Sequence, residues 1–216
     1  MSRKHSLHQL LKNPRIWKAG SAFTDDAAAV STGFENLDRA LAGGWPIGVL
    51  TELLLDSYGI GELKLLMPAL VRLSQQSSEA QGASEPVAER WILWISPPYT
   101  PYAPALEQVG MDISRVLVVH SGHRVDVLWA MEQALRSATC AAVLAWFRAV
   151  DERSMRRLQL AAKAGDCWAV LFRPARFIRD SSPAALRIHL QPDSDTIRLD
   201  IVKNRSGRPG TVFVKT

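Results

Sequence analysis

The sequence predicts an α/β fold: a mostly parallel sheet flanked by helices on both faces, with antiparallel strands at the C-terminal edge. Apolar runs such as VLTELLL (49–55), WILWIS (91–96) and AAVLAWF (141–147) are continuous rather than alternating, as strands covered on both sides require. Segments with helical spacing separate these runs, which argues for crossover connections between parallel strands. The last runs, LRIHLQ, TIRLDIVKN and TVFVK, alternate more and have turn signals between them, so they read as antiparallel. With 216 residues and 47% apolar content, the chain can bury one substantial core.

In chain order, VLTELLL is the first core strand. Ile60, Leu63, Met67, Leu70 and Val71 then follow at helical spacing. Pro68 lies inside that pattern, so the helix either kinks there or begins later. SSEAQGASEPVAE (77–89) is small and polar and reads as a connection. WILWIS is followed by the turn-rich PPYTPYAP, a short helix ending near Gly110, and the strand VLVVH (116–120). HRVDVLWAMEQALR (123–136) is an amphipathic helix, and AAVLAWF is the next strand. Asp151 is placed to cap a helix running to about Ala164, with Met155, Leu158, Ala161 and Ala162 inward. CWAVLFR (167–173) is a fifth strand.

Net charge is +5, unevenly spread. Residues 1–18 carry five Lys/Arg and no acid; residues 19–147 carry seven against fourteen acids; residues 148–216 carry fourteen against seven. Such polarity suits a basic face toward an acidic partner or nucleic acid, or an ordinary solvated surface. No apolar run approaches a membrane span, and the basic N-terminus lacks a signal-peptide core, so a cytoplasmic protein is expected. Cys140 and Cys167 fall in or beside strands without metal-ligand spacing and read as buried thiols. His120 and His123 have no third ligand, so neither a metal nor any other cofactor is expected. Trp91, Trp94, Trp129, Trp146 and Trp168 read as core or half-buried, whereas Trp17 and Trp45 are the better surface candidates.

Residues 31–54, STGFENLDRALAGGWPIGVLTELL, approach a phosphate-loop position, yet LDSYGIGELKLL follows where G-x-x-x-x-G-K-[ST] would stand. Leu55 replaces the first glycine, and Gly61 and Glu62 replace the lysine and hydroxyl. Shifting the register by one, so that Gly61 is the second glycine, puts Glu62 in the lysine slot. The loop Leu55, Gly59, Gly61, Glu62 is thus a degenerate nucleotide loop, and no enzyme activity is expected. A carboxylate facing a phosphate near a surface costs about 4 kcal/mol at close range.

The approach segment resembles the RecA/RadA family, and DIVKNR (200–205) resembles that family's late strand. The resemblance implies a RecA-like core over 31–216 with a degenerate nucleotide site, preceded by an N-terminal partner-binding segment over 1–30. The family's catalytic positions are filled by Trp146 or Phe147, by Pro97-Pro98 and by Arg173-Pro174, which removes the chemistry. LMPALVRLSQQ, WILWISPP, ALRSATCAAVLAWF and LQLAAKAGDCWAVLFRP look like the SulA family of cell-division inhibitors. The combination with GIGEL, SPAALRI and VKNRxGRPG resembles the ImuA family.

ImuA resemblance implies a non-catalytic adaptor of SOS-induced, error-prone translesion DNA synthesis. Its implied partners are RecA and an ImuB-like Y-family polymerase homologue, with an error-prone C-family polymerase reached indirectly. The SulA resemblance implies the alternative, a division inhibitor that binds FtsZ. On the first view, Lys203, Asn204 and Arg205 form a RecA-facing interface, imitating a neighbouring protomer. Arg173, Arg176, Phe177 and Arg179 form a basic loop for DNA or a partner, since cations around an aromatic suit phosphates and bases. Leu7, Leu10, Leu11 and Trp17 suit a short amphipathic helix that grips a partner or packs on its own core.

Overall fold

The computed structural model describes residues 28–75, 90–120 and 123–215. A small two-stranded sheet pairs β1 (Ala29–Val30) with β2 (Trp45–Pro46), and α1 (Glu35–Ala40) lies between them. The main sheet has eight strands in the order β10-β9-β8-β3-β7-β6-β4-β5. These are β3 (Leu50–Leu55), β4 (Trp91–Ile95), β5 (Val116–Val119), β6 (Cys140–Trp146), β7 (Trp168–Pro174), β8 (Leu186–Asp193), β9 (Thr196–Asn204) and β10 (Gly210–Val214). The longer helices are α2 (Glu62–Gln75), α4 (Arg124–Arg136) and α5 (Glu152–Ala164); α3 (Ala103–Gln108) is short.

β3 runs parallel to both β7 and β8, and all six of its residues are buried. The apolar side chains therefore form two clusters. One includes Leu53, Leu65, Leu70, Trp94, Trp146, Phe172 and Leu199 and brings in α2. The other includes Leu50, Val127, Met131, Val143, Met155 and Leu158 and brings in α4 and α5. Burying such side chains stabilises each by about 1.5–3 kcal/mol. Asp151 caps α5 as its position predicts, accepting a 2.9 Å bond from the Ser154 N–H.

The expectation of a mostly parallel, RecA-like core is corrected to a mixed eight-stranded sheet with few helices. β9 runs antiparallel to both β8 and β10. The approach segment that suggested the RecA resemblance builds the β1–α1–β2 unit. There Gly44 has φ 129°, and a Cβ on it would lie 2.3 Å from the Val30 carbonyl oxygen, so the two short strands close only on glycine. The motif is explained by that local turn. Helix α2 starts at Glu62 and passes through Pro68, whose ring packs on Gly33, where a Cβ would come within 2.5 Å.

Two tryptophans depart from expectation. Trp45 is fully buried because its ring stacks on Trp168 at 5.6 Å, so it offers no partner surface. Trp129, expected to be core or half-buried, is 62% exposed, because the inner face of α4 is carried by Val127, Met131 and Leu135. Cys140 and Cys167 are buried free thiols, and burial pushes both above the ordinary thiol range. Among the described residues, no helix is long and apolar enough to cross a membrane, and no cluster of His, Cys, Asp or Glu is placed to hold a metal ion.

Candidate functional site

The degenerate loop lies at the C-terminal end of β3, where Leu55 is buried and the chain turns through Gly59 and Gly61 into α2. Both glycines have positive φ, 83° and 100°, and so position the loop amides. Glu62 is the first residue of α2, is only 4% exposed, and turns its carboxylate back onto the Gly59 N–H, which it accepts at 2.9 and 3.1 Å. A carboxylate at a helix N-terminus is favourable, and this one takes an amide of the kind a phosphate would need. The loop is filled by its own anion.

In front of this loop opens a cleft of about 360 Å³, lined by Glu62, Lys64, Trp94, Trp146 and the segment Pro97 to Tyr102. Its floor is aromatic: Trp94 lies 5.9 Å from Trp146, which stacks on Phe172 at 4.4 Å. Pro97 and Pro98, which follow β4, form part of the cleft wall. Tyr99 and Tyr102 on its rim are 73% and 71% exposed. The rim continues into the edge strand β5, since the Ser96 N–H donates to the Val119 carbonyl at 2.8 Å. Among the described residues β5 pairs only with β4, and Leu117, Val118 and Val119 are all exposed, so apolar side chains face solvent on both sides of the sheet edge. Tyr58, beside the loop, has its hydroxyl pushed up by burial and by Glu62, against the pull of Arg148.

A second polar centre lies inside the sheet. Glu52, fully buried on β3, is held by Arg173 on β7 and by Arg187 on β8, the latter through Nε at 2.5 Å. Arg187 also donates to the carbonyls of Phe177 (2.9 Å), Asp180 (3.0 Å) and Ile178 (3.3 Å). Lys203, opposite Arg187 in the β8–β9 register, donates to the Ser182 carbonyl at 2.8 Å, and Arg205 donates to that of Pro183 at 3.1 Å. Burial, with Arg205 and Arg187 nearby, holds the Lys203 amine below its ordinary range, against the pull of Glu52.

The residues expected to face RecA are held by these contacts: Lys203 turns toward the Ser182 carbonyl, Arg205 stays exposed while it donates to the Pro183 carbonyl, and the Asn204 amide reaches the Ala40 carbonyl at 3.5 Å. The other expected loop residues do come together: the guanidinium groups of Arg173 and Arg176 lie 4.4 and 4.9 Å from the Phe177 ring centre. Leu7, Leu10, Leu11 and Trp17 lie outside the described residues. Sequence reasoning missed Glu52 as a centre and missed Tyr99, Tyr102 and β5 as a surface. The signal for the first was present, as a lone acid in an otherwise apolar central strand.

The family model for "Cell division inhibitor SulA" matches residues 48–169. Among characterised relatives, a cell division inhibitor SulA of Serratia proteamaculans is 26% identical over 183 residues, 84% of this chain and 95% of the relative. A cell division inhibitor SulA of Yersinia pestis is 30% identical over 144 residues, covering 66% and 79% respectively. The crystal structure of SulA from Pseudomonas aeruginosa aligns with a TM-score of 0.45 and 24% identity, over 57% of this chain and 97% of that one. The ImuA assignment, the translesion adaptor role and the RecA, ImuB-like and C-family polymerase partnerships it implied are thereby overturned. The chain belongs to the SulA family.

Proposed function

We propose that the protein inhibits cell division by binding FtsZ in the cytoplasm, as a stoichiometric ligand and without catalysis. One observation carries the choice of surface. The cleft keeps its phosphate end closed by Glu62, while its rim displays Tyr99, Tyr102 and the apolar edge Leu117 to Val119. Exposed aromatic side chains beside apolar area are what a protein interface uses for its anchors. The family's activity, inhibition of cell division, fits a binding surface better than a nucleotide pocket. Residues 31–216 then act as one unit in which the loop Leu55 to Glu62 is a structural turn.

The test is FtsZ polymerisation, read by sedimentation, with increasing amounts of the purified protein. The unmutated chain should suppress polymer in proportion to its concentration and independently of added ATP. Tyr99→Ala with Tyr102→Ala should weaken suppression at least about tenfold, since interface anchors are worth about 2 kcal/mol or more each. Both residues are largely exposed, so stability should change by no more than about 0.5 kcal/mol per site. Suppression by the double variant at the unmutated concentration would refute the surface, and no suppression by the unmutated protein would refute the function.

A further inference from the structure

The loop between β7 and β8 is built more firmly than a connection requires. Arg187 donates to three of its carbonyls, and Lys203 and Arg205 from β9 and its following turn donate to two more. Arg187 is itself fixed by Glu52 at the sheet centre. On this frame Arg176, Arg179 and Arg205 are exposed to solvent; Asp180 in the loop and Asp56 after β3 are exposed acids, and Glu52 is buried and paired. All three arginines lie outside the matched segment 48–169. The β7–β8 loop begins just beyond Phe172, which stacks on Trp146 of the cleft, whereas β8 and β9 lead away from β4 and β5 in the sheet order.

We propose that this basic platform docks an acidic, extended segment of a partner protein. A planar guanidinium pairs two-pronged with carboxylates, so three exposed arginines on and beside this frame suit a run of Asp or Glu side chains. Nucleic acid fits less well. Single-strand binders offer a free aromatic face for bases, whereas the Phe177 ring is half-buried and engaged by the guanidinium groups of Arg173 and Arg176. Fixing the loop carbonyls internally also lowers the ordering cost of association.

The probe is a fluorescent oligoglutamate peptide, compared by anisotropy with an oligothymidylate of matched charge, at low and at physiological ionic strength. The peptide should bind more tightly than the oligonucleotide, and binding should weaken as salt rises. Arg176→Glu, Arg179→Glu and Arg205→Glu together should weaken peptide binding about tenfold or more. The same reversal at Arg153, Arg156 and Lys163, exposed on α5, should leave it nearly unchanged. Because Arg205 also holds the Pro183 carbonyl, Arg176→Gln with Arg179→Gln is a second variant that leaves the carbonyl frame intact, and it should weaken binding about threefold. The proposal is overturned by no peptide binding, by an oligonucleotide that binds equally or more tightly, or by equal loss in the α5 variant. FtsZ suppression is measured on the same variants, and its retention separates failure of this platform from failure of the aromatic rim.

Discussion

Two buried glutamates sit on or just after the same central strand, and their neighbours give them opposite tasks. Glu52 is fully buried and held by two guanidinium groups, one from each flanking strand. Glu62, 4% exposed, satisfies the Gly59 amide, and its contacts lie within its own loop. The first ties three strands and a loop together across long sequence distances; the second closes a turn that would otherwise present an open amide to an anion. A buried carboxylate surrounded by cations organises the fold. A buried carboxylate that takes a single loop amide closes a local turn.

The difference should appear first in stability. Glu52→Ala leaves Arg173 and Arg187 buried without their counter-charge, and breaking such a pair costs about 3–5 kcal/mol. It should also loosen the 175–185 loop, because Arg187 loses the partner that aims it at three carbonyls. Chemical denaturation would measure the first effect and hydrogen exchange in the loop the second. A loss below about 1 kcal/mol, typical of one ordinary hydrogen bond, would break the comparison.

Glu62→Ala should cost less, about 0.5–1.5 kcal/mol, since it removes the acceptor of one amide, that of Gly59, which lies in an exposed turn. The sharper readout is ligand binding. Calorimetric titration with ATP should remain silent for Glu62→Ala as for the unmutated protein, because Leu55 stands in the first-glycine position and the loop has no lysine to neutralise phosphate. Magnesium-dependent ATP binding on removal of Glu62 would mean that the carboxylate alone blocks an otherwise intact site.

How far the sequence disclosed this contrast depends on the range of each interaction. Glu62 was legible because its role is local: a carboxylate three residues after Gly59 at a helix start announces itself. β3 was legible for a similar reason, as a continuous apolar run between turn signals. The Glu52 centre was hidden because its partners lie 121 and 135 residues away, and only the strand order brings them together. Range also bears on Lys203 and Arg205. The resemblance of DIVKNR to a recombinase strand suggested that they face a partner, and it could not show that the strand pairing sets both beside the 182–183 carbonyls, to which they donate. The approach segment misled differently, since its glycines answer to a tight two-strand closure that any fold needing that turn would select.

Asp38 supplies a third carboxylate between these extremes and the smallest expected effect. It is partly exposed on α1, and its oxygens accept the Thr32 N–H and the Ser31 hydroxyl, each at 2.7 Å. Partial burial raises its pKa, but the bonds from Ser31 and Thr32 and the charge of Arg72 outweigh that and leave it below the ordinary carboxylate range. A folded-state pKa below the unfolded one means that the unfolded chain binds more protons as the pH falls. Asp38 therefore contributes stability that is complete above its unfolded value and is lost as the pH falls through the folded value. Asp38→Asn should cost about 1 kcal/mol near neutral pH, and its gap to the unmutated protein should shrink in acid below the unfolded value of 3.8. Denaturation of the two proteins across that range measures the gap directly. A gap that stays constant into acid would show that Asp38 acts through its shape as a cap and not through its charge, and would place it with neither glutamate.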